Sequence, residues 1–290
     1  MSRKAYAKVN LNLRVRGRNP DGTHNLESLV AFANYADTLS CTTADTTKFT
    51  CTDTALATAD NLVMQAHRAL KKEAEKEAGE NLLHNRYCHL HLEKNIPIAA
   101  GLGGGSADAA AALHLLADYF DLPTHNLPKI AAQLGADVPV CLASSPAWIT
   151  GVGADVVRPL RLPEADIVLV NPQIALATKA VFENLNMAEG LLPPKNPPAG
   201  FDNLAALCAY LNQQGNDLTK SAIALVPEIA TCLETLLSGG ANYAAMSGSG
   251  ATCFALVASG RGQALAEYYR DVMGAVMGAK HWCVATHLLV

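Results

Sequence analysis

Pro97-Ile98-Ala99-Ala100-Gly101-Leu102-Gly103-Gly104-Gly105-Ser106-Ala107-Asp108 joins a predicted strand to an alanine-rich predicted helix, and its reading decides the fold. Glycines let the backbone amides of such a loop turn toward one point, and the following helix adds unpaired N–H groups and the positive end of its dipole. A loop of that kind is a cradle for phosphate. It lacks the Gly-Lys-Ser/Thr ending of a Walker loop, and Ser106 stands where the last glycine of the dinucleotide fingerprint would fall. A connector needed only for close helix packing accounts poorly for three adjacent glycines followed by a hydroxyl at the helix cap. Bulk at Gly104 is therefore expected to block the approach of phosphates to the backbone.

Working outward, the helix after the loop is predicted over Ala107 to about Phe120, followed by a shorter one from Asn126 to Leu134 that Gly135 closes. Upstream, His89-Leu90-His91-Leu92 alternates as a strand with an exposed histidine face, and Asp60 can cap a helix through Leu62, Ala66, Ala69, Leu70 and Ala74. The chain opens with strict alternation from Ala5 to Arg16. Val9, Leu11, Leu13 and Val15 fall on one face and Lys8, Asn10, Asn12 and Arg14 on the other, which predicts one strand with an apolar and a polar side. Pro20-Asp21-Gly22-Thr23 reads as a turn, and the threonine-rich run from Thr38 to Thr54 as further strand and loop. Ile167-Val168-Leu169-Val170 predicts a buried strand that starts a second unit. Beyond it lie a proline-rich excursion from Leu191 to Gly200, two helices, a strand-loop-strand around Met246 to Val257, a helix from Gly262 to about Met277 and a last strand.

The 290 residues are half hydrophobic, enough for one large or two modest domains with a sizeable core. Twenty-two basic against 26 acidic side chains leave a net charge of -4, with no general attraction for nucleic acid or an anionic membrane. A polyanionic ligand must then be held by local amides and a few chosen cations. Met1 to Val15, interrupted by Lys4, Lys8 and Arg14, has no apolar core of a signal peptide, and no later stretch approaches a membrane span; a cytoplasmic protein is expected. The eight cysteines show no paired zinc or redox spacing and read as reduced, buried thiols.

The phosphate loop resembles that of the superfamily of galacto-, homoserine, mevalonate and phosphomevalonate (GHMP) kinases, in its Pro-Xaa-Xaa-Xaa-Gly-Leu-Gly form. Gly103-Gly104-Gly105 before Ser106 is similar, within it, to the 4-diphosphocytidyl-2-C-methyl-D-erythritol kinase family. Four more blocks carry the resemblance in family order: Ala7-Lys8-Val9-Asn10-Leu11, Asp21-Gly22-Thr23-His24, Leu134-Gly135-Ala136-Asp137-Val138-Pro139 and Ser247-Gly248-Ser249-Gly250-Ala251. The resemblance implies an α+β, two-domain GHMP kinase, ribosomal-protein-S5-like over 1–157 and ferredoxin-like over 158–290. It implies ATP-dependent phosphorylation of the 2-hydroxyl of a cytidine-diphosphate-linked methylerythritol. Asp137 then matches the proton acceptor and Lys8 the cation beside it, which would offset charge building on the transferred group.

By the same resemblance Pro97, Ile98, Ala99, Ala100, Gly101, Leu102, Gly103, Gly104, Gly105, Ser106 and Ala107 bind ATP, with Asn61 near the adenine. Mg2+ accompanies ATP, with Ser106 as a candidate ligand. Asn10, sharing the strand face of Lys8, reaches the substrate; His24 reads the cytosine edge; Phe182 stacks on the cytidine; and Ser247, Gly248, Ser249 and Gly250 form a second glycine loop closing on the phosphates. Unaided, Lys8 and Asn10 would be taken for solvated residues, His24 for a surface turn, Asp137 and Asn61 for caps, Phe182 for core and the Ser247 loop for a hairpin turn. Where the family has Gly-Tyr-His, this chain has Gly22-Thr23-His24, and Thr23 has no π face to stack on cytosine. The rivals are a sibling kinase acting on homoserine or a mevalonate derivative and a nucleotide-binding regulator without turnover. The triple glycine argues against the first and the joint presence of Lys8 and Asp137 against the second.

Overall fold

The alternating opening does not form one strand. The computed structural model describes residues 1–78, 85–152, 156–185, 191–277 and 281–290, and divides that segment into β1 (Ser2–Asn10) and β2 (Arg14–Arg18). Between them Leu11 N–H donates to Leu29 O, Leu13 N–H to Gly215 O, and the Asn12 side chain accepts from Leu29 N–H at 2.6 Å. These bonds reach other partners and turn the chain out of register. The polar face is not solvated either: Lys8, Asn10 and Asn12 are 4%, 3% and 1% exposed.

Further along come β3 (His24–Thr43), β4 (Lys48–Cys51), α1 (Leu62–Ala78), β5 (Cys88–Glu93), α2 (Gly104–Phe120), α3 (Leu127–Leu134) and α4 (Val138–Ala143). Packing gathers 1–7, 35–97 and 103–144 into one compact unit. There the second half of β3 pairs antiparallel with β5, Thr38 opposite Glu93 through Thr43 opposite Cys88, and β4 joins β5 in parallel. His89 and His91 share a strand face, each ring within 2.8 Å of the Thr50 hydroxyl. Helix α2 is buried nearly all round, through Ala107–Leu113, Leu115–Ala117 and Phe120, because α1, α3 and α4 all pack on it. It begins at Gly104, three residues earlier than its alanine run predicts. Gly103 is its N-cap, in the left-handed region at φ 62°, so Gly104 and Gly105 are helical and Ser106 is the third helical residue rather than the cap.

The second unit comprises 8–34, 98–102 and 145–290. Both units are assembled from separate stretches, with β1 and β3 contributing to each, whereas the division at 157/158 is one cut in sequence. Here β2 and β6 (Ala147–Gly151) flank the first half of β3, and β7 (Val156–Pro159) pairs with β6, all antiparallel. Next come β8 (Asp166–Asn171), α5 (Thr178–Glu183), α6 (Leu204–Gln214), α7 (Thr219–Leu225), α8 (Glu228–Ser238), β9 (Tyr243–Met246), β10 (Cys253–Val257), α9 (Gly262–Met277) and β11 (Trp282–Leu289). The order β11-β8-β10-β9 with every pair antiparallel is the ferredoxin-like arrangement. Ile167 to Val170 are fully buried at its centre, and Leu191–Gly200 carries no helix or strand. No single helix among the described residues is long and apolar enough to cross a membrane. The pair α7 and α8, apolar enough together, meets at 119° and spends Ala222, Ile229 and Leu236 in the core.

Candidate active site

In the second unit the end of β1 is the origin of a buried hydrogen-bond chain. Period-two alternation sets Lys8 and Asn10 on one face. Lys8 Nζ donates to Asn10 Oδ1 at 2.8 Å, and Asn10 Nδ2 donates to Ser28 Oγ at 2.8 Å, which donates to Asn12 O at 2.5 Å. A buried ammonium is costly unless hydrogen-bonded, and Asn10 fixes where this one points. Asn10 N–H donates to Ser247 Oγ at 3.1 Å, and that hydroxyl donates to Gly101 O at 2.9 Å. Lys8 N–H meets Leu102 O at 2.9 Å, and Thr252 N–H meets Ala100 O at 3.3 Å. Asn216 Nδ2 holds the second glycine loop from behind, donating to Met246 O at 2.8 Å and Gly248 O at 2.9 Å. Lys8, Asn10, Ala100–Leu102 and the turn at Ser247–Gly250 are thus one assembly.

That assembly changes what several residues can do. Ser247 is fully buried and its hydroxyl is spent on Asn10 and Gly101, so it couples two loops; Ser249, half-buried and paired with Thr178 Oγ1 at 2.8 Å, is the hydroxyl of this turn nearer solvent. Gly248 and Gly250 both have positive φ. Ser28 and Asn216 escape a sequence reading because nothing in their surroundings marks them; long-range bonds alone reveal them. Elsewhere in the unit His24 stacks on Phe182, ring centroids 4.5 Å apart and 28° from parallel, while Phe182 also packs against the apolar core. Burial, helped by Arg18, lowers the His24 pKa, favouring the neutral imidazole with one donor and one acceptor. Thr23 is the lock of its own turn: its hydroxyl donates to Asp21 Oδ1 at 2.6 Å and accepts from Asn19 Nδ2 at 2.9 Å. A tyrosine there would give up both bonds.

In the first unit, the N-terminal turn of α2 offers the amides of Gly104, Gly105 and Ser106, the first intrahelical bond being Ala107 N–H to Gly103 O at 2.9 Å, and the turn itself holds no acidic residue. A Cβ added to Gly104 would meet Ile96 Cγ2 at 3.3 Å and Lys94 Nζ at 3.4 Å, so on that side the glycine leaves room for these two side chains. Asn61 caps α1, its Oδ1 accepting from Val63 N–H at 2.9 Å and its Nδ2 donating to Leu56 O at 3.0 Å. Asp137 is the N-cap residue of α4 at the α3–α4 junction, yet its carboxylate makes no capping bond to that helix. Among the described residues no group of three or more His, Cys, Asp or Glu could hold a metal ion.

A glycine loop opening a buried helix, a second glycine turn locked to it and a ferredoxin-like sheet define a GHMP-type small-molecule kinase. The GHMP kinases N terminal domain model matches residues 61–145 and the GHMP kinases C terminal model residues 200–274. The chain is 45% identical over 275 residues to the 4-diphosphocytidyl-2-C-methyl-D-erythritol kinase of Rhodopseudomonas palustris, covering 88% of this chain and 87% of that one. It is 40% identical to the enzyme of that name from Ruegeria pomeroyi over 98% of both chains. A crystal structure of 4-(cytidine 5'-diphospho)-2C-methyl-D-erythritol kinase superposes with a TM-score of 0.77 at 31% identity, covering 99% of both chains. The chain belongs to the 4-diphosphocytidyl-2-C-methyl-D-erythritol kinase family.

Proposed function

We propose that the chain transfers the γ-phosphoryl group of ATP to the 2-hydroxyl of 4-diphosphocytidyl-2-C-methyl-D-erythritol, a step that serves isoprenoid precursor synthesis. Family membership over nearly the whole chain supports the substrate; the observation that carries the chemistry is the buried Lys8 ammonium, fixed by Asn10 in an assembly that also holds Gly101 and Ser247. The substrate oxygen forms its bond to phosphorus as the bond to the bridging oxygen of ADP breaks, and the hydroxyl proton passes to Asp137. Lys8 offsets charge on the transferred group, and the α2 amides hold the phosphates. Among the described residues there is no acidic cage, so Ser106 would be the protein ligand offered to a Mg2+ that accompanies ATP, and the ion would supply neutralisation of phosphate charge. The matched segments 61–145 and 200–274 leave the interval between them, 157/158 included, for a boundary in sequence.

The enzyme works in the cytoplasm on soluble substrates, without nucleic acid or membrane. Its eight cysteines are all free thiols, as a reducing compartment keeps them, and its net charge of -4 does not attract polyanions. A coupled ADP-release assay with the cytidylated methylerythritol, homoserine and mevalonate tests the reading. Release with the first alone is expected; release with homoserine or mevalonate and not with the first overturns it. Phe182, half-buried and stacked on His24, is the aromatic side chain we assign to cytosine. Phe182→Ala is expected to raise KM for the cytidylated substrate about tenfold, from the lower end of base–aromatic stacking energies, with kcat nearly unchanged because remote stacking is equal in ground and transition states. A KM within twofold of the parent would place the base elsewhere.

A further inference from the structure

Beneath the first turn of α2 lies a buried ionic cluster to which the proposed reaction gives no part. Lys94, one residue past β5, donates from Nζ to Asp37 Oδ2 and, at 2.9 Å, to Asp108 Oδ2. Asp37 is fully buried, Asp108 is 4% exposed, and the Lys94 side chain is 10% exposed. The second oxygen of Asp37 accepts from two backbone donors, Asn95 N–H at 2.6 Å and Ile96 N–H at 2.8 Å. Oδ1 of Asp108 has no hydrogen-bond partner among the described residues. The ammonium is 3.4 Å from where a Cβ on Gly104 would be, so the glycine leaves the room that Lys94 occupies.

We propose that Lys94 is a positioning residue for ATP: clamped between Asp37 and Asp108, it fixes the end of β5 against the first turn of α2 and so pre-forms the phosphate cradle. The proposal rests on the loop being the nucleotide site argued above. A solvent-exposed lysine could not do this. Asp37 pins the chain on the loop side by Asn95 and Ile96, Asp108 belongs to α2 itself, and Lys94 joins the two carboxylates. The role is not that of a charge source. The one ammonium faces two carboxyl groups and leaves no surplus positive charge, and burial, aided by Asp37 and opposed by Lys94, raises the Asp108 carboxyl to about 7. What the cluster supplies is order: without the ammonium, the α2 amides must be arranged at the moment ATP binds, and that cost appears in affinity.

The test is Lys94→Met, which keeps the length of the stem and removes the charge, measured by titration with Mg-ATP, by steady-state kinetics and by thermal unfolding. About tenfold weaker ATP binding and a matching rise in KM for ATP are expected, with KM for the cytidylated substrate unchanged and kcat within about threefold. Because two buried carboxylates without their cation can unfold a domain, Lys94→Met with Asp108→Asn is made in parallel; it leaves Asp37 its two backbone donors and is expected to show the same loss. A folded variant of either kind that binds ATP like the parent overturns the proposal, as does a lowered melting temperature with unchanged ATP affinity. Failure of both variants to fold also overturns it, since the cluster would then serve the fold alone. The parent's own titration separates the two readings: absence of ATP binding there removes the kinase site and the positioning role together, whereas binding by parent and variants alike removes the positioning role only.

Discussion

Asp137→Asn is expected to lower kcat by roughly two to four orders of magnitude while leaving ATP binding close to that of the parent. The substrate hydroxyl is tertiary and hindered, so its oxygen gains nucleophilicity only as its proton leaves, and a carboxylate accepts that proton where a carboxamide does not. The substitution is otherwise mild. Asp137 begins α4 as its N-cap, and asparagine is as favourable there as aspartate. Its carboxylate makes no capping bond to α4, so the helix start does not depend on it. The melting temperature is measured beside turnover, so that loss of chemistry is separated from loss of folding. ADP release by the variant at half the parent rate would remove Asp137 from the proton-acceptor role.

The period-two pattern that pairs Lys8 with Asn10 is legible because side-chain direction in a strand is local. Their burial is not, because alternation says which residues share a face and nothing about what covers it. The cover comes from Ser28 and Ser247, the latter 237 residues away in sequence. A contact 17 residues away hides the break between β1 and β2, which Asn12 makes by holding the Leu29 amide. Helix α2 was legible in its alanines but not in its start: propensity discounts glycine, whereas the left-handed cap at Gly103 lets Gly104 and Gly105 enter the first turn. The strand order of the second unit follows from alternating apolar segments only once the antiparallel registers of β8 with β10 and β11 are seen. The resemblance motifs locate Asp137 and the loop stretch that ends at Asp108; they are silent on Lys94 and Asp37 and on the bonds that join the three across 57 and 14 residues of sequence.

The strongest demand on sequence is at Gly101, where Gly101→Ala is expected to cost both stability and activity. The residue sits at φ 74°, in the left-handed region, where a side chain costs about 1–2 kcal/mol. A Cβ there would lie 2.6 Å from Ser247 O and 2.8 Å from Gly250 O. Both are backbone atoms and cannot rotate aside, so the two loops must separate, adding about 1–3 kcal/mol of overpacking. The separation breaks what holds the assembly together. Ser247 Oγ donates to Gly101 O, and the neighbouring Leu102 O accepts from Lys8 N–H, so a displaced loop takes Lys8 with it. A fall in melting temperature of roughly 5–15 °C is expected from that free-energy loss. The accompanying drop in kcat/KM should be at least about a hundredfold, as misplacement of a reacting group by an ångström costs that much. Gly105→Ala is the comparison: its Cβ would meet only Leu62 Cδ1, at an ordinary 3.4 Å, in helical backbone, so its melting temperature should hold or rise. Equal melting temperatures for Gly101→Ala and the parent would mean that the two glycine loops are not locked to each other.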